Sequence, residues 1–174
     1  SIVSEKATGT MDLLLVSPVR PRTIILGKLV PYFILSCIIL AAMLLLSYTV
    51  LGLPFSASAL NVVWVTVLYV TLALSLGLLV STLVSTQVTA LIVSGVLFML
   101  PVVMLSGMIF PIENMPLPLQ WLSCVIPARW YIAAMRTLMI QQLPASYVLQ
   151  EVAILLCMTV AVLVLAVRKF NSKY

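Results

Sequence analysis

The chain has 174 residues, of which 64% are hydrophobic and 7% charged, with a net charge of +5 and a mean hydropathy of +1.29. Soluble globular domains carry about a quarter of their residues charged, so this composition excludes that class and describes an integral membrane protein. The basic excess does not describe a nucleic-acid binder, because the lysines and arginines flank apolar runs and do not alternate with aromatic side chains.

Residues 1–28 read as a cytoplasmic docking segment and hold Glu5, Lys6, Asp12, Arg20, Arg22 and Lys28. A short helix is predicted from Thr10 to Val16. Met11, Leu14 and Leu15 follow i, i+3, i+4 spacing, Thr8 or Thr10 can cap the N-terminus, and Asp12 suits the first turn. Ser17-Pro18 ends it, because a residue before proline avoids the helical region. Such a helix either lies in the membrane interface or projects as a knob that meets another protein. Anionic lipid would repel Glu5 and Asp12, and Leu13 and Val16 spread apolar character around the helix, which favours the knob. The chain opens on Ser1 in polar sequence without an initiator Met or a signal peptide, which reads as a piece of a longer protein.

A bilayer core about 30 Å thick needs about 20 apolar residues of helix, and segments 29–51, 60–83, 88–110 and 148–167 meet that length. The sequence between Lys28 and Glu113 has no charged residue. A Gly52-Leu53-Pro54 turn and a Ser85-Thr86-Gln87 connection separate the first three spans. In the second span Ala73, Gly77, Ser81 and Ser85 recur every four residues and so share one face. That face is either a seam where another helix packs closely, the commoner use of small residues, or the lining of a transport path. Pro101 in the third span predicts a kink, since proline removes a backbone bond and crowds the preceding turn.

Residues 111–147 are too polar to span and too apolar for a solvated loop. Pro116 and Pro118 open one short helix, Pro127 closes it, and Ala128 to Ile140 form a second. Trp121, Trp130 and Tyr131 suit the headgroup level, so the expectation is a hairpin dipping into the outer leaflet, shielded by protein or lining a wet cavity. Pro111, Glu113, Met115, Pro116, Trp121, Pro127, Arg129 and Arg136 are its candidate functional residues. Arg129 and Arg136 are seven apart, hence on one helical face. They either attract an anionic substrate or lipid phosphate, or snorkel to headgroups or pair locally with Glu113.

Counting Lys and Arg near the span ends places the N-terminus inside. Lys6, Arg20, Arg22, Lys28, Arg168, Lys169 and Lys173 then face the cytoplasm and Arg129 and Arg136 lie outside, with residues 168–174 a cytoplasmic basic tail. No Walker A, HExxH or GxSxG pattern occurs and the chain has no histidine, so neither catalysis nor a metal site is expected. Cys37, Cys124 and Cys157 form no disulfide framework. The spans lack a central Asp, Glu or His, which disfavours a proton-driven carrier.

Glu5-Lys6, Gly9-Thr10-Met11-Asp12, Leu14-Leu15-Val16-Ser17-Pro18 and Ile25-Leu26-Gly27-Lys28 resemble the coupling loop of type-2 ABC exporter permeases. The block Ser106 to Pro116, continuing through Leu119-Gln120-Trp121 to Pro127, is similar to that family's outer hairpin, in the same order and at the same spacing. The resemblance covers essentially the whole chain. It implies an all-α membrane fold of four transmembrane helices, a cytoplasmic coupling helix and an outer re-entrant helical hairpin. It also implies that two further spans precede Ser1. The activity it implies is export of an amphipathic or lipid-like substrate by alternating access in a bacterial cytoplasmic (inner) membrane. The implied partners are a second permease copy and a separate ABC ATPase that holds ATP and Mg. The alternative is a membrane anchoring subunit with no transport path of its own. Ala7 and Thr8 stand where the family often alternates acid and base, so contact with the ATPase is expected to rest on Met11, Leu14 and Leu15 more than on salt bridges. Ile126 stands before Pro127 where the family often has Asn, and substrate type is not carried over.

Overall fold

The computed structural model describes residues 21–50, Gly52 and 59–173. The docking segment Glu5–Pro18, with Gly9, Thr10, Met11, Asp12, Leu14, Leu15 and Ser17, lies outside the described residues, as does most of the turn after the first span.

Helix α1 runs from Pro21 to Val50. Proline at its first position lacks a donor that would have no helical partner there anyway. Its 30 residues extend about 45 Å, longer than a bilayer core is thick. Pro31 lies inside it, and the residue four back, whose carbonyl the ring crowds, is Gly27. Helix α2 runs from Ala59 to Leu83. The third span is composite, with α3 (Gln87–Ile92), a π-type stretch (Val93–Met99) and α4 (Leu100–Leu105). Two short helices follow, α5 (Leu117–Val125) and α6 (Pro127–Met135), the second continuing as a π-type turn to Ile140. A 3-10 turn, Ala145–Val148, leads into α7 (Leu149–Lys173). No strand occurs among the described residues, and four helical segments are long and apolar enough to cross a membrane.

The disturbance expected from Pro101 takes the form of the π stretch before it. The ring displaces the register, and the Leu100 N–H donates to the carbonyl of Gly95, five residues back. The third helix also ends earlier than the expected residue 110. Ser106 closes it and Gly107 follows at φ 81°, the left-handed conformation in which glycine terminates helices.

Burial is uneven. In α2 39% of the most apolar stretch is buried and in the last span 17%, but in α1 and the third span none is. The core forms where α2 lies along α7 with α6 against both. Val62, Val65 and Leu72 of α2 meet Ala134, Leu138, Val148 and Leu155. Tyr69 stacks on Tyr131 with ring centroids 4.3 Å apart, and the Tyr131 hydroxyl lies 3.3 Å from Thr66 Oγ1. Buried hydroxyls are satisfied along their own helix: Thr66 donates to Val62 O at 2.6 Å, Ser75 to Thr71 O at 2.7 Å and Thr159 to Leu155 O at 2.7 Å. A membrane interior supplies no water to do this.

Leu155 is fully buried between these helices. Lipid tails are as apolar as leucine, so truncation there loses packing and opens a cavity without a large transfer penalty. Leu155→Ala is expected to destabilise the detergent-solubilised full-length protein by about 2 kcal/mol, with Leu155→Met retaining most of the stability, as read by thermal melting.

Candidate functional site

The hairpin is built by its prolines and closed by one arginine. Pro111 precedes a 3-10 turn, Ile112–Asn114, and Pro116 stands in extended conformation before α5, where Pro118 occupies a first-turn position. Ile126 is the single extended residue between α5 and α6, the conformation that Pro127 imposes on its predecessor. Gln120 Nε2 donates to Met115 O at 2.9 Å, fastening the 3-10 corner to α5. Arg129 Nη1 reaches back from α6 and donates to Gln120 O at 3.1 Å, to Ser123 Oγ at 2.6 Å and to Cys124 Sγ at 3.1 Å. Trp130 Nε1 donates to Cys124 O at 2.9 Å, and the Arg129 guanidinium lies 5.1 Å from the Trp130 ring centre. The Cys124 carbonyl lies in the last turn of α5, where carbonyls lack helical donors, and Trp130 supplies one, while Arg129 adds a charged donor to groups on the same helix. Arg129 therefore holds the hairpin shut.

Between the hairpin and the start of α7 lies a cavity of about 440 Å³. Pro111, Glu113, Gln120, Arg129, Arg136 and Glu151 line it. Glu151 stands in the first turn of α7, where the positive end of the helix favours a carboxylate. Its Oε2 atom is buried and has no hydrogen-bond partner among the described residues. Arg136 is exposed at the rim and, among the described residues, forms no ion pair with Glu113 or Glu151. The two arginines, whose spacing predicts one helical face, line one cavity, and the local pair with Glu113 that stood as one alternative is not made among the described residues. Of the other hairpin residues, Met115 acts through its carbonyl, Pro116 through its backbone, and Trp121 is 77% exposed. Gln120, Ser123 and Glu151 went unassigned from sequence. Glu151 could have been found, being the one acidic residue beside the last span, whereas the carbonyl of Gln120 has no sequence signature.

The small-residue face of α2 is largely open. Ala73 and Gly77 are exposed, and a β-carbon built on Gly77 meets no atom within 4 Å. Ala73, Gly77 and Ser81 line a crevice of about 520 Å³ with Gly27, Lys28 and Tyr32 of α1. Ala73 and Gly77 also border a cavity of about 250 Å³ with Ser94 and Phe98 of the third span and Pro127 of α6. Ser85 lies beyond the end of α2 and is exposed. Close helix packing on this face is therefore not made at Gly77 among the described residues.

Gly107 stands where the third span turns into the hairpin. Besides its positive φ, a β-carbon there would lie 3.0 Å from Ile112 Cδ1. Gly107→Ala is expected to cost about 1–2 kcal/mol from the backbone alone. Adding Ile112→Ala should relieve the contact but not that backbone share, and melting of the single and double variants separates the two.

Four apolar helices long enough to span, without a charged residue at their centres and with charged groups near their ends, define a multi-pass membrane protein. The model of the ABC-2 family transporter protein matches residues 1–168, and the chain belongs to that family. It is 33% identical over 137 residues to the probable multidrug ABC transporter permease YbhS of Escherichia coli K12, covering 79% of this chain and 36% of that protein. It is 36% identical over 132 residues to the probable multidrug ABC transporter permease YbhR of the same organism, covering 75% and 35%. ABC transporter G family member 20 of Dictyostelium discoideum is 27% identical over 176 residues, covering 99% and 24%. The chain thus spans about a third of the length of the curated bacterial relatives it matches. No solved structure matches it.

Proposed function

We propose that this chain is the C-terminal membrane part of an ATP-driven exporter permease that moves an amphipathic or lipid-like molecule outward by alternating access. The observation that carries this reading is the family match over residues 1–168, which takes in both the Glu5–Pro18 loop and the hairpin. It is supported by spans without central charges and by crevices on both sides of the small-residue face of α2, which leave room for helices to shift. Energy comes from a separate ABC ATPase that holds ATP and Mg, docked on the Glu5–Pro18 loop, and a second permease copy completes the assembly. Under the charge count both ends of the chain face the cytoplasm of a bacterial inner membrane, and the hairpin with its polar cavity faces out. The docking loop then leads through the first turns of α1, which include Lys28, and displacement of that helix rocks the spans against the α2–α7 core.

The test is the full-length protein purified in mild detergent with a Leu14→Cys substitution. A P-loop ATPase is expected to co-purify and to crosslink at that cysteine, and reconstituted vesicles should show ATP-dependent movement of an amphiphilic dye. An anchoring subunit predicts the crosslink without flux. Absence of both overturns the reading.

A further inference from the structure

We propose that the cavity between the hairpin and the start of α7 binds a zwitterionic headgroup carrying one phosphate and one ammonium. The proposal rests on the reading above that the chain handles amphiphiles, and it names the chemistry recognised at the hairpin. Glu113, Arg129, Arg136 and Glu151 all face one cavity of about 440 Å³, a volume within the range of small-molecule sites. Two carboxylates and two guanidiniums balance, yet among the described residues they do not neutralise one another. A purely anionic ligand would meet Glu113 and Glu151, and a purely cationic one would meet both arginines. A ligand with separated opposite charges satisfies the four together.

Each end of such a headgroup has a receptor. The buried Oε2 of Glu151 lacks a donor, and an ammonium supplies one as a charge-assisted hydrogen bond. Arg136 at the rim holds a planar fork of N–H donors that matches phosphate oxygens. Arg129 is fixed by its bonds to neutral acceptors on α5, which leave its charge to act across the cavity. Ile112 and Ile132 supply apolar wall for the first carbons beyond the headgroup.

The full-length permease in mild detergent is titrated by native mass spectrometry with phosphatidylethanolamine, phosphatidylglycerol and dodecylammonium. Phosphatidylethanolamine is expected to bind about tenfold more tightly than either other probe; Glu151→Gln should bring its ratio to phosphatidylglycerol near unity, and Arg136→Gln its ratio to the cationic probe. Equal retention of the three probes by the wild type overturns the proposal, as does a preference that survives both substitutions. Soluble phosphoethanolamine should displace the lipid from the wild type where glycerol 3-phosphate does not. Failure of that displacement also overturns it, whether or not any variant folds. In vesicles of phosphatidylethanolamine containing the ATPase, ATP-driven movement of headgroup-labelled lipid marks the occupant as cargo. Selective binding without flux marks a resident bilayer lipid, which upholds the site and counts against the export reading.

Discussion

Replacing Arg129 by alanine is expected to unlatch the hairpin and to lower the stability of the full-length protein by about 2–3 kcal/mol. The substitution removes a charged donor from Gln120 O, Ser123 Oγ and Cys124 Sγ together with the contact on the Trp130 face. Ser123 keeps its own bond to Gln120 O at 2.6 Å, so the loss is that of a charged donor and not of an orphaned hydroxyl. Arg129→Lys should recover less than half. A lysine ammonium is a point charge that neither forks across α5 nor stacks as a planar guanidinium does. Thermal melting gives the magnitude, and amide exchange over 117–135 gives the location. Unchanged exchange in Arg129→Ala would show that the hairpin holds without its clamp.

Leu14→Asp should have the larger effect on function. Docking at the Glu5–Pro18 loop is proposed to rest on Met11, Leu14 and Leu15, and a charge buried without a partner at an interface costs several kcal/mol. ATP-dependent flux is expected to fall at least about tenfold while the permease still inserts and melts as the wild type does. Glu5→Gln should lower it far less, because an exposed ion pair contributes about 1 kcal/mol or less. The reverse order, with Glu5→Gln the more damaging, would place the contact on salt bridges. Vesicle flux and ATPase co-purification, measured on the same two variants, decide between them.

Hydropathy made the four spans legible because length against bilayer thickness is a strong constraint, and the prolines made the two short helices legible. The end of the third span was misplaced because apolar character continues through Met108, Ile109 and Phe110, whereas the backbone stops at Gly107. The same limit applies to the small-residue face of α2. Four-residue spacing fixes that Ala73, Gly77 and Ser81 share a face, but not whether a helix covers it, and here two crevices border it. Arg129 and Arg136 were legible as a pair on one face. Their separate fates were not, since one is engaged by a backbone carbonyl and a serine that sit a helix away, and the other stays at the cavity rim.

The self-satisfied hydroxyls of α2 bear on how the chain is made. The main partner of α2 is α7, which follows it in the chain only after the third span and the hairpin, so α2 enters the bilayer before its core can close. A helix whose Thr66, Ser75 and Thr82 needed donors or acceptors from a neighbour would wait in lipid with exposed polar groups. Each instead bonds to a carbonyl of its own helix three or four residues back, so α2 can reside alone in the membrane until α7 arrives. Insertion of α2 is thereby uncoupled from assembly of the bundle.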